Sequence, residues 1–174
     1  MGFGLKSQRA SLGTREAWRL KETIMTTPTS GAAPLFELHS PVRFTHTDPA
    51  AYVFFPRYFE MLQAVIEEWF TQALDQRYAD LIINRRLGTP TAATQCTFMK
   101  PSRLGDVVTI AARLEHIGNS SFRIRFFGRC EGEKRLEAVS TLVMISLGDG
   151  SPQPIPADLR TKMEAYQAAT SDNG

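Results

Sequence analysis

The residues best suited to chemistry lie in one stretch, Val42-Arg43-Phe44-Thr45-His46-Thr47-Asp48-Pro49-Ala50-Ala51-Tyr52-Val53-Phe54-Phe55-Pro56-Arg57-Tyr58. It sets a carboxylate, Asp48, at the end of a strand-like run, beside apolar side chains and just ahead of a helical pattern that Pro56 opens. Free N–H groups at a helix start, and the dipole behind them, favour negative charge. A carbonyl under attack gathers negative charge on its oxygen, so donors placed there stabilise acyl transfer. Asp48 would supply either direct nucleophilic attack or general-base activation of water. Tyr52, Val53, Phe54 and Phe55 could line an acyl pocket. Asp before Pro is also a common turn element, and by itself this pattern reads more readily as a turn or cap than as a catalytic group.

Other candidates weigh less. His46 stands two residues before Asp48, so on an extended chain both side chains point to the same side. A His46–Asp48 dyad could tune proton transfer near neutral pH; the plainer alternative is a strand-end histidine at a turn. His39 and His116 read as structural. Arg85-Arg86 reads as a solvated helix end, not a nucleic-acid contact. Cys96 and Cys130 have neither CxxC nor metal-ligand spacing. They read as buried free thiols, which agrees with a reducing, cytoplasmic compartment. No metal site is suggested.

These residues need elements to hold them. Residues 38–45 read as a strand, with Val42 and Phe44 on one side and Pro41 marking an edge or a strand start. From 57 to about 74 the pattern is helical: Tyr58, Leu62, Val65, Ile66, Trp69 and Ala73 recur at three- and four-residue steps. Phe59, Met61 and Phe70 widen the apolar stripe, as expected of an enclosed helix. A short helical piece is expected over 76–84. After Gly88 the period changes to two, and 89–100, 106–116, 122–131 and 135–147 read as strands. A terminal helix is expected over 157–168. One helix followed by a run of strands argues for an α+β fold, with a long central helix wrapped by a five-stranded antiparallel sheet.

Size and charge agree with one domain. The chain has 174 residues, 43% hydrophobic and 22% charged, with net charge +2. Lys6, Arg9, Arg15, Arg19 and Lys21 against Glu16 and Glu22 put +3 on residues 1–33 and leave −1 on the remainder. Residues 1–34 are expected to be a disordered or extended segment, and 35–170 the folded domain. Met25 opens an ordinary-looking start, so residues 1–24 read as an upstream mis-start or an untethered tail. No apolar run reaches membrane-span length, and no field points to nucleic acid.

Asp48-Pro49-Ala50, then Val53, the aromatic pair, Pro56 and Tyr58, resembles the signature of the 4-hydroxybenzoyl-CoA thioesterase family of hotdog proteins. The likeness continues through Gly88-Thr89-Pro90, Thr97-Phe98, Gly105-Asp106-Val107-Val108-Thr109-Ile110 and Ser121-Phe122, and so covers roughly residues 38–158 in order. The resemblance implies a hotdog fold and hydrolysis of a short-chain or aromatic acyl-CoA, with coenzyme A as part of the substrate and no separate cofactor. It implies Asp48 as the catalytic carboxylate and the backbone amide of Phe55 as the donor to the thioester carbonyl. It also implies a homodimer or homotetramer with sites shared between subunits. Tyr52, Val53, Phe54 and Tyr58 would meet the acyl end, and Gln63 stands where the family's type enzyme has an Asp facing it. Lys100, Arg103 or Arg123 would meet the CoA phosphates, because Gly118 and Asn119 replace the type enzyme's basic residues. The family Gly after Asp-Pro-Ala is Ala51 here, so either that turn does without positive φ or its shape differs. Another hotdog branch carries its carboxylate in the central helix, where Glu60, Glu67 and Glu68 would be candidates. Two alternatives stay open: a non-catalytic acyl-thioester binding module, and an enzyme for acyl carrier protein thioesters using a basic rim of Arg57, Lys100, Arg103 and Arg123.

Overall fold

The computed structural model describes residues 33–171. The expectations for residues 1–24, and for the rest of the N-terminal segment up to residue 32, lie outside the described residues. β1 (Phe36–Pro41) leads through a 3-10 turn (Phe44–His46) and a tight loop into α1 (Pro56–Glu68). Then follow α2 (Tyr78–Ile83), β2 (Leu87–Gly88), β3 (Thr91–Phe98), β4 (Val107–Ile117), β5 (Ser121–Cys130), β6 (Glu133–Val143), β7 (Ile145–Ser146) and α3 (Ala157–Thr170). The main sheet has five strands in the order β1-β4-β5-β6-β3, with every neighbour antiparallel. β2 and β7 form a separate two-stranded ribbon.

Period-two alternation decides which face is buried. Val108, Ile110, Ala112 and Leu114 of β4, Phe122, Ile124 and Phe126 of β5, and Leu136, Ala138 and Leu142 of β6 all point inward. α1 meets them with Tyr58, Met61, Leu62, Val65 and Ile66, a helical stripe. Trp69 and Phe70 extend it and stack edge-on at 5.2 Å. α3 adds Leu159 and Met163 to this core. Its Tyr166 hydroxyl donates to the Ala112 carbonyl at 2.6 Å and accepts from the Phe36 amide at 3.0 Å, tying helix, β4 and β1. Arg85 grips Asp158 through two nitrogens at 2.9 and 3.0 Å, fixing the start of α3.

Several boundaries differ from the sequence reading. The first strand ends at Pro41, not at 45, because Val42 turns its amide to the Asp106 carbonyl and its carbonyl to the Gly105 amide. The long helix stops at Glu68 and widens into a π-turn (Trp69–Ala73), with the Leu74 amide reaching back five residues to the Trp69 carbonyl. That widening is compatible with both Trp69 and Phe70 lying fully buried. The last strand is split: Met144 bonds to Ser120 and Gln153, so Ile145 and Ser146 pair with β2 instead. One side of α1, with Phe59, Glu60 and Glu67, is exposed in the single chain. No described helix is long and apolar enough to cross a membrane.

Candidate active site

Asp48 opens a hairpin with the three-residue loop Pro49-Ala50-Ala51. The Ala51 amide bonds the Asp48 carbonyl at 2.9 Å, and the Asp48 amide bonds the Tyr52 carbonyl at 2.9 Å. Ala51 has φ +62, so the loop is a turn closed by a left-handed residue. The turn therefore does need positive φ, and alanine adopts it. Asp48 Oδ1 accepts from the Ala50 amide at 2.8 Å and the Tyr52 amide at 3.2 Å. Two fixed donors hold one carboxylate oxygen, while Oδ2 has no protein donor among the described residues. The second arm of the hairpin pairs onward with the β3–β4 connection: Val53 bonds the Ser102 carbonyl, and Leu104 bonds the Ala51 carbonyl.

Directly after this arm, Phe55 precedes Pro56 at the start of α1. Arg57 and Tyr58 donate to the Phe54 and Phe55 carbonyls, but the Phe55 amide itself has no protein acceptor among the described residues. It is a free donor at a helix N-terminus, the property an oxyanion needs. The buried Tyr58 clamps this helix start, because its hydroxyl accepts from the Ser102 amide at 3.2 Å.

Two hollows flank these groups. One, of about 430 Å³, is lined by Phe44, Thr47, Asp48, Pro49, Ala51 and Leu104. The other, of about 330 Å³, is lined by Val53, Phe55, Tyr58, Phe98, Met99, Lys100 and Pro101. Asp48 and Phe55 thus line separate hollows of one chain. Phe54, Phe55, Phe59, Phe98 and Met99 are all exposed around the second, and the Phe59 and Phe98 rings meet edge-on at 6.4 Å.

The remaining expected site residues divide. Tyr52 lies beside Asp48, where Arg103 stacks on its ring at 5.1 Å and donates to its hydroxyl at 3.0 Å. Val53 is buried and joins the core. Lys100 lines the second hollow but is ion-paired with Glu133, and it holds that carboxyl below its ordinary range. Gln63 donates to Glu67 on the exposed side of α1. Arg123 pairs in register with His116, whereas the Asp106 turn adjoins the opposite end of β4, so one chain does not bring Arg123 to Asp48. Glu60 is engaged by Arg57, and Glu68 by Gln72.

The His46–Asp48 dyad does not form. Residues 44–46 are a 3-10 turn rather than an extended strand, and His46 Nδ1 accepts from the Arg43 amide at 3.1 Å. No hydrogen bond joins His46 to Asp48 among the described residues. The sequence reading also missed Phe44 and Leu104, which wall the Asp48 hollow. Phe44 read as sharing a strand face with Val42, whereas the turn separates them: Val42 is buried and Phe44 is exposed. No cluster of three or more His, Cys, Asp or Glu side chains suited to a metal occurs among the described residues.

A family model described as the Thioesterase-like superfamily matches residues 42–163. A search of curated proteins finds no match. Among solved structures, a gentisyl-coenzyme A thioesterase superposes with TM-score 0.68 at 23% identity, covering 74% of this chain and 99% of its own. A 1,4-dihydroxy-2-naphthoyl-CoA thioesterase from Synechocystis gives 0.67 at 18%, covering 74% and 94%. A thioesterase from Thermus thermophilus, complexed with coenzyme A and Zn, gives 0.65 at 23%, covering 79% and 96%. At these identities the structures establish a shared hotdog fold.

Proposed function

The chain belongs to the Thioesterase-like superfamily, and from that premise we propose that it hydrolyses a short-chain or aromatic acyl-CoA to the free acid and coenzyme A. The observation that carries this reading is the Asp48 carboxylate, held by two loop amides with its second oxygen free, one short hairpin away from the unpaired Phe55 amide. In the general-base form, Asp48 takes a proton from water as the hydroxide oxygen bonds to the thioester carbon. The carbonyl oxygen gains the charge and accepts from the Phe55 amide. Collapse restores the carbonyl, breaks the C–S bond and expels the thiolate, which takes the proton that Asp48 received and leaves the carboxylate ready again. In the nucleophilic form, the carboxylate attacks the thioester carbon and the C–S bond breaks to expel the thiolate, leaving an anhydride that water then opens to the free acid and the Asp48 carboxylate. Neither route calls for a metal or a further cofactor.

Two copies or more are proposed to build each site, as a homodimer or homotetramer. The separation of Asp48 and Phe55 into different hollows supports this, as does the exposed aromatic cluster beside α1. β3 adds an unpaired sheet edge with every side chain exposed except the half-buried Cys96. Arg103, presented on Tyr52, is the best-placed cation for a CoA phosphate. A carrier-protein substrate fits less well, because Arg57 and Lys100 of the expected basic rim are already ion-paired. The free Cys96 and Cys130 suit a reducing, cytoplasmic setting.

The test is release of free thiol from an acyl-CoA panel. Asp48→Asn is expected to lower kcat by about 100-fold or more while the chain stays folded by circular dichroism. Full activity in that variant would remove Asp48 from the mechanism.

A further inference from the structure

We propose that His46 is a positioning residue whose neutral imidazole latches the Asp48 hairpin, so that turnover is lost when His46 takes up a proton. This rests on the reading that Asp48 and the Phe55 amide act on the thioester. The 3-10 turn Phe44–His46 joins two fixed points. Before it, the buried Val42 is anchored by its amide on the Asp106 carbonyl at 2.8 Å. After it, the chain enters the first arm of the hairpin. The arms pair at three successive levels. The Phe54 amide donates to the His46 carbonyl at 2.9 Å, Thr47 bridges to Val53, and the Asp48 amide donates to the Tyr52 carbonyl at 2.9 Å. His46 therefore stands two residues from the carboxylate on one arm. On the other arm it pairs with Phe54, which precedes the free Phe55 amide.

The turn is closed through the histidine. The His46 amide donates to the Arg43 carbonyl at 2.9 Å, and His46 Nδ1 accepts from the Arg43 amide at 3.1 Å. The second bond is the reach-back that Glu or Gln makes from the third position of a capping box. Nδ1 accepts only while the ring is neutral and carries its proton on Nε2. Protonation turns Nδ1 into a donor facing the Arg43 N–H, and the bond is lost. The latch is thus closed at high pH and opens as pH falls. Between about pH 5 and 8, an imidazole is the side chain that ordinarily changes charge. His46 is only half-buried, so a proton can reach it. The charged groups on the elements tied to the turn are engaged elsewhere. Arg57 holds Glu60, Arg103 stacks on Tyr52, Asp106 accepts the Arg103 amide, and Asp48 Oδ1 takes the Ala50 and Tyr52 amides. None of them hydrogen-bonds or ion-pairs with the imidazole among the described residues, and the exposed Arg43 guanidinium offers it no acceptor. Unlike a dyad, this arrangement acts on Asp48 through the backbone and passes no proton to or from the substrate.

The experiment follows thioester absorbance with acetyl- and benzoyl-CoA from about pH 5 to 8, on the full chain as wild type, His46→Gln, His46→Ala and Asp48→Asn. Wild-type kcat is expected to fall about tenfold toward the acid end while circular dichroism shows the fold kept. His46→Gln, whose amide oxygen accepts without titrating, should keep kcat within about threefold of wild type at the alkaline end and hold it as pH falls. His46→Ala should lie about tenfold low in kcat at the alkaline end, with KM little changed and no histidine limb. His39→Gln and His116→Gln remove the other two imidazoles and should keep the wild-type profile. In isotope-labelled protein, the Arg43 and Phe54 amide resonances should titrate together with the kinetic limb in wild type, do so equally in Asp48→Asn, and stay fixed in His46→Gln. A flat wild-type profile, an acid limb unchanged in His46→Gln, full activity of His46→Ala, or Arg43 and Phe54 amides that do not titrate would each overturn the latch. An active Asp48→Asn would overturn the reading beneath it, while the amide titration, which needs no turnover, still decides the latch.

Discussion

At the scale of single residues, the decisive position beside Asp48 is Ala51. Closing a three-residue hairpin demands a left-handed residue, and Ala51 supplies it at φ +62, where a Cβ crowds the carbonyl. Glycine would remove that crowding but add freedom to the unfolded chain. Ala51→Gly is therefore expected to stabilise the protein by about 0.5–1 kcal/mol, the difference between those effects. Thermal unfolding would show this as a Tm rise of about 1–4 °C; an unchanged or lowered Tm would mean that the loop carries no such strain. Asp48 was legible because its neighbours in sequence are also its partners, the amides of Ala50 and Tyr52. The role offered to His46 failed on a local detail: a dyad needs two extended residues, and a 3-10 turn replaces them.

Among elements, the site depends on how the Asp48 hairpin, the start of α1 and the β3–β4 connection are tied. Ser102 is the knot. Its carbonyl takes the Val53 amide from the hairpin, and its amide donates to the Tyr58 hydroxyl from the helix. Tyr58→Phe keeps the ring but strands that amide in the interior, where an unpaired donor costs about 1–3 kcal/mol. Urea unfolding is expected to show a loss of that size. Ser102→Ala provides the contrast, because the Ser102 hydroxyl is buried and already lacks a partner. Removing it should cost less than about 1 kcal/mol or even stabilise. A loss as large as that of Tyr58→Phe would show that the hydroxyl, not the backbone, carries the tie.

For the whole molecule, the proposed assembly of two or more copies draws on apolar surface that stands uncovered among the described residues of one chain. Phe54, Phe55, Phe59, Phe98 and Met99 are exposed together, beside a sheet edge that carries neither lysine nor proline within β3. Light scattering is expected to give a multiple of the single-chain mass. Phe59→Glu with Phe98→Glu should shift it toward one chain and lower turnover together, since burying charge in that face is costly. A fully active wild-type monomer would remove the second subunit from the site.

The sequence by itself determined the order of the main elements, the α+β class, the apolar stripe of α1, the period-two runs that became β4, β5 and β6, and the position of Asp48. Each follows from spacing along the chain: period 3.6, period two, and a turn whose partners are two to four residues apart. Tertiary structure decided the rest. The diversion of Ile145 and Ser146 to β2, the knot at Ser102 and the hollow lined by both Phe44 and Leu104 all join segments remote in sequence. No local pattern encodes them, because each arises where separate elements compete for the same space and the same hydrogen-bond partners.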